Sequence, residues 1–381
     1  MKAIVSFSGR ILARLHLWRL ALAAFSFYRP VSSLKSASQG RLEYAFLMSR
    51  DQPLAKQAFA RLLRSGLGQS QETDLWLAKI AWSLGRLKLA SLIYAKTERY
   101  AGPLSAVAGR QRTFAQDCLD HRLEARLAES IDKLSLSPAA DAPLILTAVS
   151  MRYYDMFQLW SEQLDRHYPC RRLLLALDPE AASRLRRLPG ADVIDLSPFF
   201  LFLENGYIHP YTRGNLWILR VLILKELVKR GFSALSLDLD AMVVGDLAAM
   251  IQRLPTADIV VQQDYSIPMD VARKFGFVLC CGFMLIRPNP STVALLERYA
   301  EWTTIEMDDQ LALNHFLAAT GLSGIQREKE YMQFHSAGVS WLCPDKTLVS
   351  RDIQYGSVVR HFQQSGQSMD ELKMAIRKTS L

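Results

Sequence analysis

The spacing of apolar and polar positions changes once, near the middle of the chain. From about residue 40 to 133, Leu, Ala, Lys, Arg and Gln dominate and β-branched residues are sparse, which predicts helices. Breaks are expected at Asp51-Gln-Pro53, Gly66-Leu-Gly68, Gly85 and Gly102-Pro103. Ser135–Pro143 (SLSPAADAP) reads as a small-residue linker with two prolines. After it, short apolar runs alternate with amphipathic stretches. Strands are predicted at Leu144–Ser150, Arg172–Leu177, Asp192–Leu196, Ser233–Leu239 and Ile259–Gln262. Helices are predicted at Tyr153–Arg166, Glu180–Leu188 and Trp217–Arg230, the last stopped by Gly231. Such alternation implies an α/β fold, a doubly wound and mostly parallel sheet, preceded by an all-α region. Ligands of such sheets sit beyond the carboxyl ends of the strands.

Within the helical stretch Ala55 and Phe59 recur as Ala90 and Tyr94, an offset of 35 residues. A small residue followed by an aromatic one at that period resembles the second helix of tetratricopeptide-type hairpins, and an irregular bundle would read the same way. Three regions follow: a basic segment at 1–35, a helical scaffold at 36–135 and an α/β domain at 141–381.

Charge sharpens the picture. The net charge is +9, yet residues 1–50 carry eight Lys or Arg against the single acid Glu43, and residues 141–381 are nearly neutral. A basic segment on a neutral body suggests an anionic partner. The run Ile11–Tyr28 is rich in Leu, Ala, Trp and Phe, but Arg14, His16 and Arg19 leave only Leu20–Tyr28 uncharged. That falls short of the roughly 20 apolar residues needed to span a bilayer, and no signal-peptide cleavage pattern follows it. Contact with an anionic membrane surface from the cytoplasmic side is one reading of this segment, and an ordinary docking helix or frayed tail is the other. Interleaved aromatics and nucleic-acid motifs are missing, so nucleic acid is not an expected partner. Five cysteines without CxxC spacing argue against structural zinc and a cross-linked secreted fold.

Chemistry is expected where the Ser233–Leu239 strand ends in Asp238-Leu239-Asp240 and opens an apolar loop, Ala241–Val244. Two carboxylates side by side are costly without a cation, and at a strand end they can hold Mg²⁺ or Mn²⁺ while leaving room for phosphate oxygens. P-loop, Rossmann, HExxH and GxSxG patterns are all absent.

The stretch LVKRGFSALSLDLDAMVVGDL (227–247) resembles the metal-binding segment of nucleotide-diphospho-sugar transferases with the GT-A fold. It is most similar to the retaining galactosyl-, arabinosyl- and xylosyltransferases of family 77. Further segments fall in that family's order: the opening strand with Thr147, then Tyr153-Tyr154, LLLALDPEA at 173–181, DIVVQQD at 258–264, CCGFMLIRPNPST at 280–292, DDQLALNHFL at 308–317, and His361. The resemblance covers about 143–363. It implies a metal-dependent hexosyl- or pentosyltransferase that moves a sugar from a UDP-sugar to a glycan or lipid-linked glycan with retention. Asp238, Asp240 and His361 would hold Mn²⁺ or Mg²⁺. Arg220, Asp238, Thr147, Asp264 and Gly282 would meet the donor, with Lys225 competing for the role of Arg220. Asp309 and Gln310 would lie beside the anomeric carbon. Cys280-Cys281 stand where many relatives carry polar residues that bind sugar hydroxyls, so the donor sugar is left open. The opposing reading is a catalytically degenerate transferase that serves as a scaffold through its helical domain.

Overall fold

Helices come first, as the spacing predicts. A computed structural model describes residues 53–68, 70–134, 136, 138, 142–264, 267–350 and 358–362. The expected basic segment 1–35 and most of the linker at 135–141 lie outside them. The first five described helices are α1 (Pro53–Gly66), α2 (Gln71–Ser83), α3 (Leu87–Glu98), α4 (Ser105–Leu119) and α5 (Arg122–Asp132). None of the described helices is long and apolar enough to cross a membrane.

The chain divides into two units. The first takes the residues up to Ala125 together with His209–Leu216 and Thr304–Met307. In it α1 packs on α2, α2 on α3 and α3 on α4. Ser70 caps α2 by accepting from the Thr73 N–H at 3.1 Å. Phe59, Trp76, Trp82, Ala90 and Tyr94 are buried, so of the recurring positions Phe59, Ala90 and Tyr94 face the packing. The two later segments join this unit through hydrogen bonds: Gln111 donates to the Tyr211 carbonyl and accepts from Asn215 at 3.1 Å, and the Trp82 indole donates to the Thr304 carbonyl.

The second unit, Arg126–Ile208, Trp217–Thr303 and Asp308–Leu381, is built on a sheet. In chain order its strands and helices are β1 (Leu144–Val149), α6 (Tyr154–His167), β2 (Arg172–Ala176), α7 (Pro179–Leu185), β3 (Ala191–Asp195), α8 (Gly214–Lys229) and β4 (Ala234–Leu237). There follow β5 (Ala241–Val243), α9 (Leu247–Arg253), β6 (Ile259–Asp264), α10 (Met269–Phe275), β7 (Val278–Ile286), α11 (Pro290–Glu306) and α12 (Asp309–Thr320). Last come β8 (Ser323–Arg327), β9 (Tyr331–Ser336), β10 (Val339–Pro344), β11 (Val349–Ser350) and β12 (Val359–His361). The main sheet has the order β3-β2-β1-β4-β7-β6-β10-β9-β8.

β3, β2, β1 and β4 run parallel, as the helix–strand alternation implies. β7 runs antiparallel between β4 and β6, so the sheet is mixed. Direction was not legible there because all nine positions of β7 are buried, and a continuous apolar run reports burial alone. The Ala241–Val244 segment, expected as a loop, forms β5. A second small sheet pairs β5 with β12 and β12 with β11. One face of the main sheet carries Ile145, Val149, Leu235 and Leu237, packed in the core with Phe157 and Trp160 of α6.

Asp258, just before β6, ties that strand's start to β10 and to the loop that follows β7. Its carboxylate accepts from the Ser340 N–H at 2.7 Å, the Ser340 hydroxyl at 2.8 Å and the Asn289 amide at 2.6 Å. Hydrogen bonds to a charged acceptor are stronger than neutral ones. Asp258→Ala is therefore expected to destabilise the protein by about 2–3 kcal/mol, read as a lower urea midpoint. An unchanged midpoint would show that these bonds do not hold the strands.

Candidate active site

The end of β4 turns sharply. The Asp238 N–H donates to the Gly282 carbonyl at 3.0 Å, and the Asp238 carbonyl accepts from the Ala241 N–H at 2.9 Å. Leu239 and Asp240 thus form a tight turn, and β5 starts at once. β12 pairs antiparallel with β5, setting His361 opposite Ala241, and the Phe362 N–H donates to the Asp240 carbonyl at 2.7 Å. This pairing seats a residue from far along the chain over the turn. His361 Nε2 lies 3.2 Å from Asp240 Oδ1 and 4.0 Å from Asp238 Oδ2. One ligand atom from each of Asp238, Asp240 and His361 falls within 4.8 Å of the others.

Arg220, on α8, lies beneath this turn and is 5% exposed. Its guanidinium donates to Asp238 Oδ1 through Nη1, and to Asp309 Oδ2 through Nη2 and, at 2.9 Å, Nε. The Trp217 ring lies 4.8 Å from its Cζ. Burial works against the charge, but Asp309 and then Asp238 outweigh it and hold Arg220 above its ordinary range. Asp309 opens α12 behind Asp308, whose carboxylate caps the helix by accepting from the Leu311 N–H at 2.9 Å. Capping by Asp308 leaves the neighbouring Asp309 as the acid turned toward Arg220.

Three carboxylates, Asp238, Asp240 and Asp309, thus gather around one guanidinium and one imidazole. Burial disfavours a charged imidazole, and Cys280 with Asp240 overrides it, so without a cation His361 titrates above the ordinary imidazole range. Two carboxylates with one imidazole nitrogen form a donor set that suits Mn²⁺, and the carboxylates suit Mg²⁺. The Asp238 and Asp240 side chains remain 29% and 17% exposed, so the cluster opens to solvent on one side.

The other expected residues are placed differently. Gly282 is enclosed by the cluster itself: a Cβ there would overlap His361 Cε1 and lie 2.8 Å from its Nδ1 and 3.0 Å from Asp238 Oδ2. Its missing side chain makes room for the imidazole. Gln310 turns its amide to the Ile267 carbonyl at 2.8 Å. Asp264 ends β6, opposite Val278 of β7. Thr147 is not brought to the cluster. By the β1–β4 register it shares the face of Leu235 and Leu237, whereas Asp238 falls on the opposite face with Ser236. Its hydroxyl is buried without a hydrogen-bond partner among the described residues.

The cysteines act as packing groups. Cys280 Sγ lies 3.7 Å from His361 Nδ1, and Cys281 Sγ 3.4 Å from the Tyr299 hydroxyl, which donates to the Asp309 carbonyl at 3.0 Å. Burial, followed by the charge of Asp309, pushes the Cys281 thiol well up, away from use as a nucleophile. Tyr299 and Gln262 were not expected at the site. Gln262 carried a signal, a polar side chain on an apolar strand, while Tyr299 sits on an ordinary helix and carried none.

Gly282→Ala forces the imidazole to move and is expected to cost about 1–3 kcal/mol through overpacking. Combined with His361→Ala, the penalty should largely vanish in a double-mutant cycle of urea unfolding. Additive losses would place the clash elsewhere.

Residues 170–351 match the family model for nucleotide-diphospho-sugar transferase. The matched span holds Arg220, Asp238, Asp240, Asp264, Gly282, Asp309 and Gln310; Thr147 and His361 lie outside it. No curated protein matches the chain. With its paired acids at a strand tip, this α/β segment of the chain is similar to the nucleotide-diphospho-sugar transferases.

Proposed function

We propose that this chain is a divalent-metal-dependent glycosyltransferase that moves a hexosyl or pentosyl group from a UDP-sugar to a glycan acceptor with retention. The observation that carries the reading is the convergence of Asp238, Asp240 and His361 within 4.8 Å at the end of β4. Counting named groups alone, three carboxylates and one guanidinium leave two negative charges when His361 is neutral. A divalent cation balances that charge. Asp238, Asp240 and His361 would hold Mn²⁺ or Mg²⁺. Bound there, the ion supplies charge stabilisation for a leaving diphosphate.

The chain's own residues do the positioning. Arg220 fixes the Asp238 carboxylate through Oδ1 and leaves Oδ2 toward His361. Burial pushes the Asp309 carboxyl up and Arg220 counters it, leaving a carboxylate that would accept from a donor-sugar hydroxyl when charged. Gln310 and Asp264 are the further donor-contacting residues of this reading. Retention and the choice of UDP rest on the resemblance described above.

Purified protein is expected to hydrolyse or transfer from one UDP-sugar in the presence of Mn²⁺ and to lose activity in EDTA. Asp240→Ala should lower turnover by about 100-fold or more, the scale at which removing one electrostatic stabiliser of a transition state is felt. Unchanged turnover in that variant would end the metal reading.

In the same proposal the basic segment 1–35 brings the enzyme to an anionic membrane surface on the cytoplasmic side, where a lipid-linked glycan would serve as acceptor. The protein should sediment with vesicles containing anionic lipid at low salt and be released as ionic strength rises. Equal behaviour with neutral and anionic vesicles would remove this part.

A further inference from the structure

Gln262 is the first polar residue after the apolar run Ile259-Val260-Val261 on β6, and it is fully buried. Between Val261 and Gln262 the pairing with β7 shifts: Val261 lies opposite Met284, but Gln262 lies opposite Cys280. Such irregularities re-aim side chains beside sites. Here the result is contact with the imidazole: Gln262 Oε1 lies 3.0 Å from His361 Nδ1. The other end of the same amide, Nε2, is buried with no hydrogen-bond partner among the described residues. A half-satisfied amide is worse at such a position than an apolar side chain of similar size, so the contact at its carbonyl end is what justifies its presence.

The chemistry of that contact fixes a proton. An amide oxygen only accepts, so a hydrogen bond to Nδ1 requires the proton to be on Nδ1. Cys280 Sγ, 3.7 Å from the same nitrogen, is a second, weak acceptor for it. In the neutral ring Nε2 is then the atom with the free lone pair, and it faces Asp240 at 3.2 Å and Asp238 at 4.0 Å. We infer that Gln262 is a positioning residue that holds His361 as the Nδ1–H tautomer and so presents Nε2 as a preformed metal ligand. This deepens the metal-dependent reading above and rests on it.

The test uses the full chain with ¹⁵N-labelled histidine, the His361 signals being assigned by their loss in His361→Gln. In metal-free protein, at a pH high enough to discharge the imidazole, His361 is expected as the Nδ1–H tautomer, and a predominant Nε2–H tautomer overturns the inference. Gln262→Leu removes the acceptor. It should mix the tautomers and weaken Mn²⁺ binding about 10- to 100-fold, followed by the electron spin resonance of free Mn²⁺. Its unfolding midpoint in EDTA should not fall, because the unpaired amide is gone. Gln262→Glu keeps an acceptor and should restore both the tautomer and Mn²⁺ affinity to within about threefold of the parent, a recovery that mere packing does not give. If Gln262→Leu does not fold, the parent tautomer and Gln262→Glu still decide. Parent-like tautomer and Mn²⁺ affinity in Gln262→Leu would sink the proposal. Failure of the metal reading looks different: the parent then binds Mn²⁺ no better than Asp240→Ala, whatever the tautomer.

Discussion

The guanidinium of Arg220 lies between Asp309 and Asp238, and Asp309 is too deeply buried to keep its charge alone. A buried carboxylate is tolerated when its partner is close and well hydrogen-bonded, and the fork of Arg220 meets Asp309 with two of its nitrogens. Everything above it depends on that arrangement. With one Asp238 oxygen engaged by the same guanidinium, the other is turned toward His361, and the acidic turn after β4 keeps a fixed geometry. Removing one member would leave the others buried, charged and unmatched.

Support from below is matched by support from the side. Gly282 leaves a gap that the His361 ring fills, Cys280 and Gln262 border the ring at Nδ1, and Cys281 touches Tyr299 next to Asp309. The thiols at 280 and 281 therefore stabilise the walls of the site. On the proposed reading, the polar groups that would recognise a donor sugar come from residues other than that pair.

Much of this was readable in the sequence because it follows from local rules. The strand ending in Asp238-Leu239-Asp240 announces itself by an apolar run that stops at two acids. Arg220 was reached by resemblance, and the helical span from Trp217 agrees with the fold. Asp308 and Asp309 divided as charge at a helix start suggests, one capping and one turned inward. What escaped depends on pairing between distant segments. The direction of β7 is not encoded in a uniformly apolar run, and the strand character of Ala241–Val243 exists only because β12 lies against it. Gln262 reaches His361 through a register shift that no periodicity foretells, and Thr147 is turned to the other face by simple alternation along β1.

The pairing of β12 with β5 carries a consequence for how the protein matures. The two acids belong to a tight turn that local contacts can form early, whereas the imidazole comes from position 361, closing a very long loop. Contacts of such sequence separation are among the slowest to be made. A half-folded intermediate would thus show a finished acidic turn and no imidazole over it. On the reading proposed above, the third ligand would join the two acids only in the closing stage of folding.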